Sequence, residues 1–155
     1  MKKRIFSFIL LMIPFISFAQ NKLDHQEAKD YVDYYIYAYN IDTPTQVNKS
    51  IVSDGAYLSN RDIHFDYSVF INPKSDYPTR KDFYKFLLEI AYANTQRLEI
   101  LHNEYTANYD IIISYYFEDD SCLVIYENTN HLTKVCYFNA EKNLIKTLEY
   151  KNSRS

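Results

Sequence analysis

The order of the periodic segments constrains this chain most. Three segments with helix-start signals come first, and an unbroken series of strand-like runs and turns follows from Arg97 to the end. The series closes on Val135–Phe138 and Leu144–Tyr150, two apolar runs around the polar stretch Asn139–Asn143, which reads as a β-hairpin. Helices segregated to one side of an antiparallel sheet make an α+β domain.

The first helix is predicted from Asp24, where Asp24 and Glu27 stand at capping-box spacing, to about Asn40. Tyr31, Tyr35 and Tyr39 recur one turn apart and give it a broad aromatic stripe suited to core packing. A second helix is predicted from Thr43, with Pro44 at its first position and Gln46 completing Thr-x-x-Gln, to the turn Ser53-Asp54-Gly55. The third follows Thr79, has Asp82 in its first turn, and presents Phe83, Phe86, Leu87 and Ile90 at helical spacing. Short strands are expected at Ala56–Ser59 and Ile63–Ile71, and longer ones at Leu98–Tyr105, Asp110–Phe117, Cys122–Tyr126, Thr133–Phe138 and Leu144–Tyr150. The run Ile111–Phe117 is apolar on both alternations, which predicts cover on both faces and a homodimer through the outer one, with Ile112 and Tyr116 at its centre.

Lys2, Lys3 and Arg4, the apolar stretch Ile5–Phe18, and small residues at Ser17 and Ala19 form the three parts of a secretory signal peptide. The rival reading, a membrane anchor, meets a run shorter than the roughly 20 apolar residues a spanning helix needs, with Pro14 inside it. The expected organisation is therefore a signal peptide over residues 1–19 and a single domain over 20–155, periplasmic or secreted, with no cysteine near the cleavage site to take a lipid and no membrane insertion afterwards. Without the three leading cations the balance is 14 basic against 20 acidic residues, a net −6, which with no basic cluster excludes a nucleic-acid binder. The 17 Tyr and 10 Phe beside no Trp and one Gly leave two readings open, the codon usage of a low-GC genome or a tyrosine-lined binding surface.

Cys122 and Cys136 are the only cysteines. If the turn between them is centred on Thr129 they face each other across a ladder, within reach of a disulfide. The alternative is two buried free thiols acting as small hydrophobes. His64 and Asp66, two apart on a strand, share a face and could serve as a general base with its orienting carboxylate, or form the polar outward face of an edge strand. His25, His102 and His131 stand apart in sequence, no metal-binding spacing is present, and no metal or cofactor is expected. The Glu118-Asp119-Asp120 stretch reads as a solvated hairpin turn.

Three stretches carry a resemblance to a known superfamily: Tyr39–Asp42 leading to Ser53–Tyr57, then Thr79–Phe83, then the hairpin Tyr137–Ile145. In this order they resemble the nuclear transport factor 2-like superfamily, which includes the SnoaL-like proteins and ketosteroid isomerase. The resemblance implies three N-terminal helices packed on a strongly curved, antiparallel-rich sheet, a cystatin-like α+β roll in which the sheet forms a cone. It implies a pocket in that cone for an apolar molecule, to which Tyr35, Tyr57, Phe86, Tyr115, Tyr126 and Phe138 are assigned. Matched to the isomerase branch, the positions of base, acid and oxyanion-binding tyrosine fall on Asn60, Lys134 and Tyr34. An amide cannot take up a proton, so the pattern departs from the catalytic one at two of three positions. The expected function is thus an exported, non-catalytic binding module for a small apolar ligand or a protein partner. The competing expectation is a small SnoaL-like hydrolase, lyase or isomerase using acid-base groups such as His64, Asp66 or Tyr34 in the cone.

Overall fold

The computed structural model describes residues 25–77 and 79–151, so the expected signal peptide and the Asp24 cap lie outside the described residues. Among the described residues one helix precedes the strands, α1 (His25–Asn40). It sets Ala28 and Val32 into the core, and its tyrosines stack along one edge, with ring centroids 6.5 Å apart for Tyr31–Tyr35 and 6.4 Å for Tyr35–Tyr39. Tyr35 and Tyr39 then meet Phe65 edge-on. The helix ends on Asn40, whose side-chain amide donates to the Ala56 carbonyl at 2.7 Å and accepts from the Ala56 N–H at 2.8 Å. That docking explains the chain's one glycine: Gly55 has φ +142°, and a Cβ there would lie 3.0 Å from Asn40 Oδ1.

The segment from Thr43 to Ser53, predicted as a helix by its cap pattern, is instead β1 (Thr45–Asn48), a tight turn, and the first part of β2 (Ile51–Ser59). Its β-branched residues Thr45, Val47, Ile51 and Val52 favour extended backbone, and pairing with β3 (Asp62–Val69) overrides a local cap signal. Strand β3 then alternates as its sequence does, burying Ile63, Phe65, Tyr67 and Val69. After a single turn, α2 (Pro73–Asp76), in which the Asn72 side chain accepts from the Lys74 N–H, comes α3 (Arg80–Leu101). The Thr79 hydroxyl accepts from the Asp82 N–H, as the capping pattern predicts. Unlike the expectation of a strand from Leu98, α3 runs on to Leu101, because Leu87, Ile90, Ala91, Asn94, Leu98 and Leu101 continue one buried helical stripe.

Four strands follow: β4 (Asp110–Phe117), β5 (Cys122–Glu127), β6 (Leu132–Phe138) and β7 (Leu144–Lys151). All seven form one sheet in sequence order, antiparallel at every junction except β3–β4, which is parallel because α3 crosses over between them. The contacts of α1 and α3 run to Phe65, Tyr67, Phe117 and Tyr137, all on one face of the sheet.

The expected fold is corrected on three counts. Among the described residues one helix, not three, leads into the sheet; α2 and α3 lie in mid-chain, between β3 and β4. The sheet is an open, mostly antiparallel array with β1 and β7 as its edges, rather than a curled cone closed by helices. The physical reason is that α3 joins two neighbouring parallel strands, so it lies over one face of the sheet instead of plugging the end of a roll.

Candidate functional site

A concave feature lies where the N-terminal half of α3 meets the β6–β7 hairpin. This open pocket of about 450 Å³ is lined by Pro73, Tyr77, Phe83, Tyr84, Tyr137 and Ile145 together with the polar side chains of Lys74, Thr79, Arg80, Asp119, Asn139 and Glu141. A second cavity of about 190 Å³, lined by Leu87, Leu88, Leu123, Val135, Tyr137 and Leu148, also has Tyr84 in its wall. Tyr84 and Tyr137 are thus common to both, and the two cavities adjoin in a groove region along the flank of α3. Its walls are set by packing: Phe83 meets Tyr137 edge-on at 5.0 Å and Phe117 at 6.0 Å, while Tyr77 stacks on Phe86 at 4.9 Å. The Lys146 ammonium lies 5.6 Å over the Tyr84 ring, within cation–π range.

The aromatic residues assigned to a cone pocket do not converge. Tyr35 lines a separate cavity of about 80 Å³ under α1, and Tyr115 is buried, bonded through its hydroxyl to Asn94 at 2.8 Å. Phe86 packs against Tyr77, Phe83 and Phe117. Tyr57, Tyr126 and Phe138 stand on the opposite face of the sheet, which separates the six by the thickness of the sheet itself. Tyr34 is 71% exposed on α1, Asn60 sits at φ 58° in the β2–β3 turn, and Lys134 pairs with Glu149 at 2.9 Å.

His64 and Asp66 do share a face, but on an interior strand, not an edge, and away from the helices and the groove. The His64 ring lies flat on Tyr57, 4.6 Å between centroids. Burial, reinforced by nearby Asp54, raises the Asp66 pKa against the opposing pull of His64 and Ser114. Its shielded Oδ1 has no hydrogen-bond partner.

The disulfide is also corrected. Glu127 pairs with Thr133, which centres the β5–β6 turn one residue later than Thr129. Cys122 therefore lies opposite Phe138, and Cys136 opposite Val124. The two cysteines share a face as diagonal neighbours, beyond the Cβ spacing a disulfide needs, and both are free thiols.

Two polar clusters that sequence spacing did not suggest lie on the helix side. In the first, the Arg97 guanidinium sits 4.8 Å over Phe65, 5.3 Å over Tyr67 and 5.7 Å over Tyr39. It donates to the hydroxyls of Tyr67 and Tyr39, which bond to each other at 2.7 Å, and Tyr39 also shares a hydrogen bond of 2.8 Å with Ser53. Burial pushes the Tyr39 phenol up, but the bonds from Ser53, Tyr67 and Arg97 outweigh it and hold the pKa below the usual tyrosine value.

In the second, the C-cap of α3, the end of β5 and the β5–β6 turn bring His102, Glu127 and His131 together. Glu127 is fully buried, and its Oε1 lies 2.6 Å from His102 Nδ1 and 3.5 Å from His131 Nδ1. Its Oε2 accepts from the Thr133 hydroxyl at 3.0 Å. Burial raises the Glu127 pKa, yet the bonds from His102, Thr133 and His131 more than offset this and leave the carboxyl below its ordinary range. His131, at φ 58°, is held by a turn in which the Asn128 side chain accepts from the N–H groups of Asn130 and Leu132, both at 3.0 Å.

Comparison with known proteins leaves this arrangement without a family. No family model matches the chain. No curated protein matches it either. Among solved structures, it is similar to the crystal structure of a "putative secreted protein" from Pseudomonas aeruginosa, at 11% identity and a TM-score of 0.42, over 84% of this chain and 95% of that one, which is too slight a likeness to assign a fold or a function.

Proposed function

We propose that this chain is an exported, non-catalytic binding module whose groove along α3 takes a small apolar molecule. The observation that carries the reading is the adjacency of two cavities on the flank of α3, which share Tyr84 and Tyr137 in their walls. The smaller cavity is the apolar part, with leucines, Val135 and aromatic rings beside Lys146, while the larger one adds the charged side chains Lys74, Arg80, Asp119 and Glu141. Removing apolar surface from water is worth roughly 25 cal/mol per Å², so a ligand of modest size gains several kcal/mol by entering such a groove. The groups with general-base potential on β3, His64 and Asp66, are on the other side of the sheet and cannot reach it. Export rests on the leader-like Lys2–Ala19 segment. No helix among the described residues is long and apolar enough to cross a membrane.

The test is titration with N-phenyl-1-naphthylamine, a neutral fluorophore that brightens in apolar surroundings. Wild-type protein is expected to bind it saturably. Leu88→Lys, at a half-exposed position in the groove wall, should weaken binding at least about tenfold, since a charge in an apolar wall costs more than 1.4 kcal/mol. Tyr57→Ser on the far face should leave it unchanged. Equal binding by wild type and Leu88→Lys removes the groove from consideration.

A further inference from the structure

We infer that His102, Glu127 and His131 form a binding site for a divalent transition-metal ion of the Zn²⁺ type. Two imidazole nitrogens and one carboxylate oxygen are a donor set that suits such an ion, with a fourth position left for water. The three ligand atoms lie within 4.8 Å of one another. Ligand atoms around a tetrahedral zinc are roughly 3.3 Å apart, so small rotations of the side chains suffice to close the set around an ion. An ion has a way in, because the His131 side chain is 36% exposed while those of His102 and Glu127 are 2% and 0% exposed.

The hydrogen bonds behind the ligands make this more than a meeting of polar groups. His102 Nε2 lies 3.3 Å from the Tyr109 carbonyl, the backbone contact that turns the other ring nitrogen, Nδ1, toward a metal. Both nitrogens of His102 thus face oxygen atoms, Nδ1 that of Glu127 and Nε2 that of Tyr109. With a metal ion at Nδ1 in place of a proton, Nε2–H still donates to Tyr109 and the carboxylate turns to the ion. On the other side, the Thr133 hydroxyl holds Oε2 of Glu127 and so aims Oε1 at the point where the two rings converge. The rings themselves stand nearly perpendicular, at 84° with centroids 4.9 Å apart, so their nitrogens approach from different directions. Finally, His102 is the C-cap of α3, and the negative end of a helix dipole favours a positive charge there. These four features come from the end of α3, the loop after it, β5, the β5–β6 turn and the start of β6, which an ion would tie together.

The experiment uses the purified full chain, stripped with a chelator and titrated with Zn²⁺ and separately with Co²⁺. One equivalent of Zn²⁺ should bind with micromolar or better affinity and raise the unfolding temperature. Co²⁺ should give the intense visible bands of a four-coordinate site and be displaced by Zn²⁺. His131→Ala removes a half-exposed side chain, so it should fold as wild type without metal yet lose more affinity than the roughly 10- to 100-fold that follows loss of an outer-shell partner. His102→Gln and Glu127→Gln should abolish the cobalt bands, and if either fails to fold, His131→Ala decides alone. A wild type with no binding tighter than millimolar, or a stoichiometric site that survives in His131→Ala, overturns the assignment. Loss of the metal site would leave binding of the naphthylamine probe in the α3 groove untouched.

Discussion

Two shielded carboxylates stand on the same sheet, one on each face, and burial acts on them in the same direction with opposite net results. Glu127, on the helix side, has contacts to both oxygens, with His102 and His131 at one and Thr133 at the other, and its acidity is strengthened. Asp66, on the open side, keeps one buried oxygen without a partner, sits near Asp54, and has its acidity weakened. Desolvation is the largest influence on each and opposes the charged form in both cases. The surrounding donors therefore decide the sign. A carboxylate that the fold has built a nest for differs from one that it merely tolerates.

The sharpest way to break this comparison is to remove the better-served member. Glu127→Ala leaves His102 buried with its Nδ1 contact gone and removes the bond from the Thr133 hydroxyl. Removing one partner of a buried charged cluster typically costs about 3 kcal/mol or more, because the other is left desolvated. Urea denaturation in the presence of a chelator should show that loss, with an unchanged slope. A loss under about 1 kcal/mol would place this cluster with ordinary surface ion pairs and erase the distinction from Asp66.

Arg97 sharpens the same point from the cation's side, since its guanidinium meets ring faces and phenolic oxygens. Arg97→Met keeps most of the side-chain volume but removes two hydrogen bonds and the charge over three rings, and should cost about 2 kcal/mol in the same assay. Arg97→Lys should recover little of it, because an ammonium cannot span Tyr39 and Tyr67 as the guanidinium fork does. Full recovery by lysine would mean that charge alone matters and that the geometry of the aromatic cage does not.

The sequence displayed the second half of this molecule better than the first, for a physical reason. In β3, β5 and the first part of β6 the alternation of side chains is set by burial of one face, so it survives in the sequence as Ile63, Phe65, Tyr67 and Val69, or as Leu123 and Ile125. At Thr43–Gln46 the local signal is a helix cap, and the pairing of Thr45 with Ser53 that defeats it is a contact across a turn that no local pattern encodes. Strand order is likewise invisible, because the parallel junction of β3 with β4 depends on where α3 packs. The candidate metal site was hidden by one misplaced boundary. With a strand assigned from Leu98, His102 has no reason to meet the β5–β6 turn; with α3 continuing to Leu101, it caps the helix beside Glu127. The spacing of Glu127 and His131 across a turn was the available signal, and the buried stripe through Asn94, Leu98 and Leu101 was the one that completes it.

The smallest expected effect concerns Asp66 and has the opposite sign to that of Glu127. Its folded pKa is raised, chiefly by burial, above the roughly 3.9 of an unfolded aspartate, with Asp54 adding to the rise and His64 and Ser114 opposing it; Tyr57 and Tyr116 are the other titratable side chains beside it. Below pH of about 4 the carboxyl is protonated in both states and costs nothing. As the pH rises through the unfolded and then the folded value, the unfolded chain ionises first and the folded state loses ground. Asp66→Asn abolishes that penalty. The variant should be more stable than wild type at pH 7, by less than about 1 kcal/mol once solvent screening at this half-buried position is allowed for, and the two should coincide at pH 3. Denaturation midpoints at the two pH values measure it. A variant less stable at pH 7 would show that Asp66 has a cationic partner on the open face in solution, and the contrast with Glu127 would then lie in where each carboxylate finds its partner, not in whether it has one.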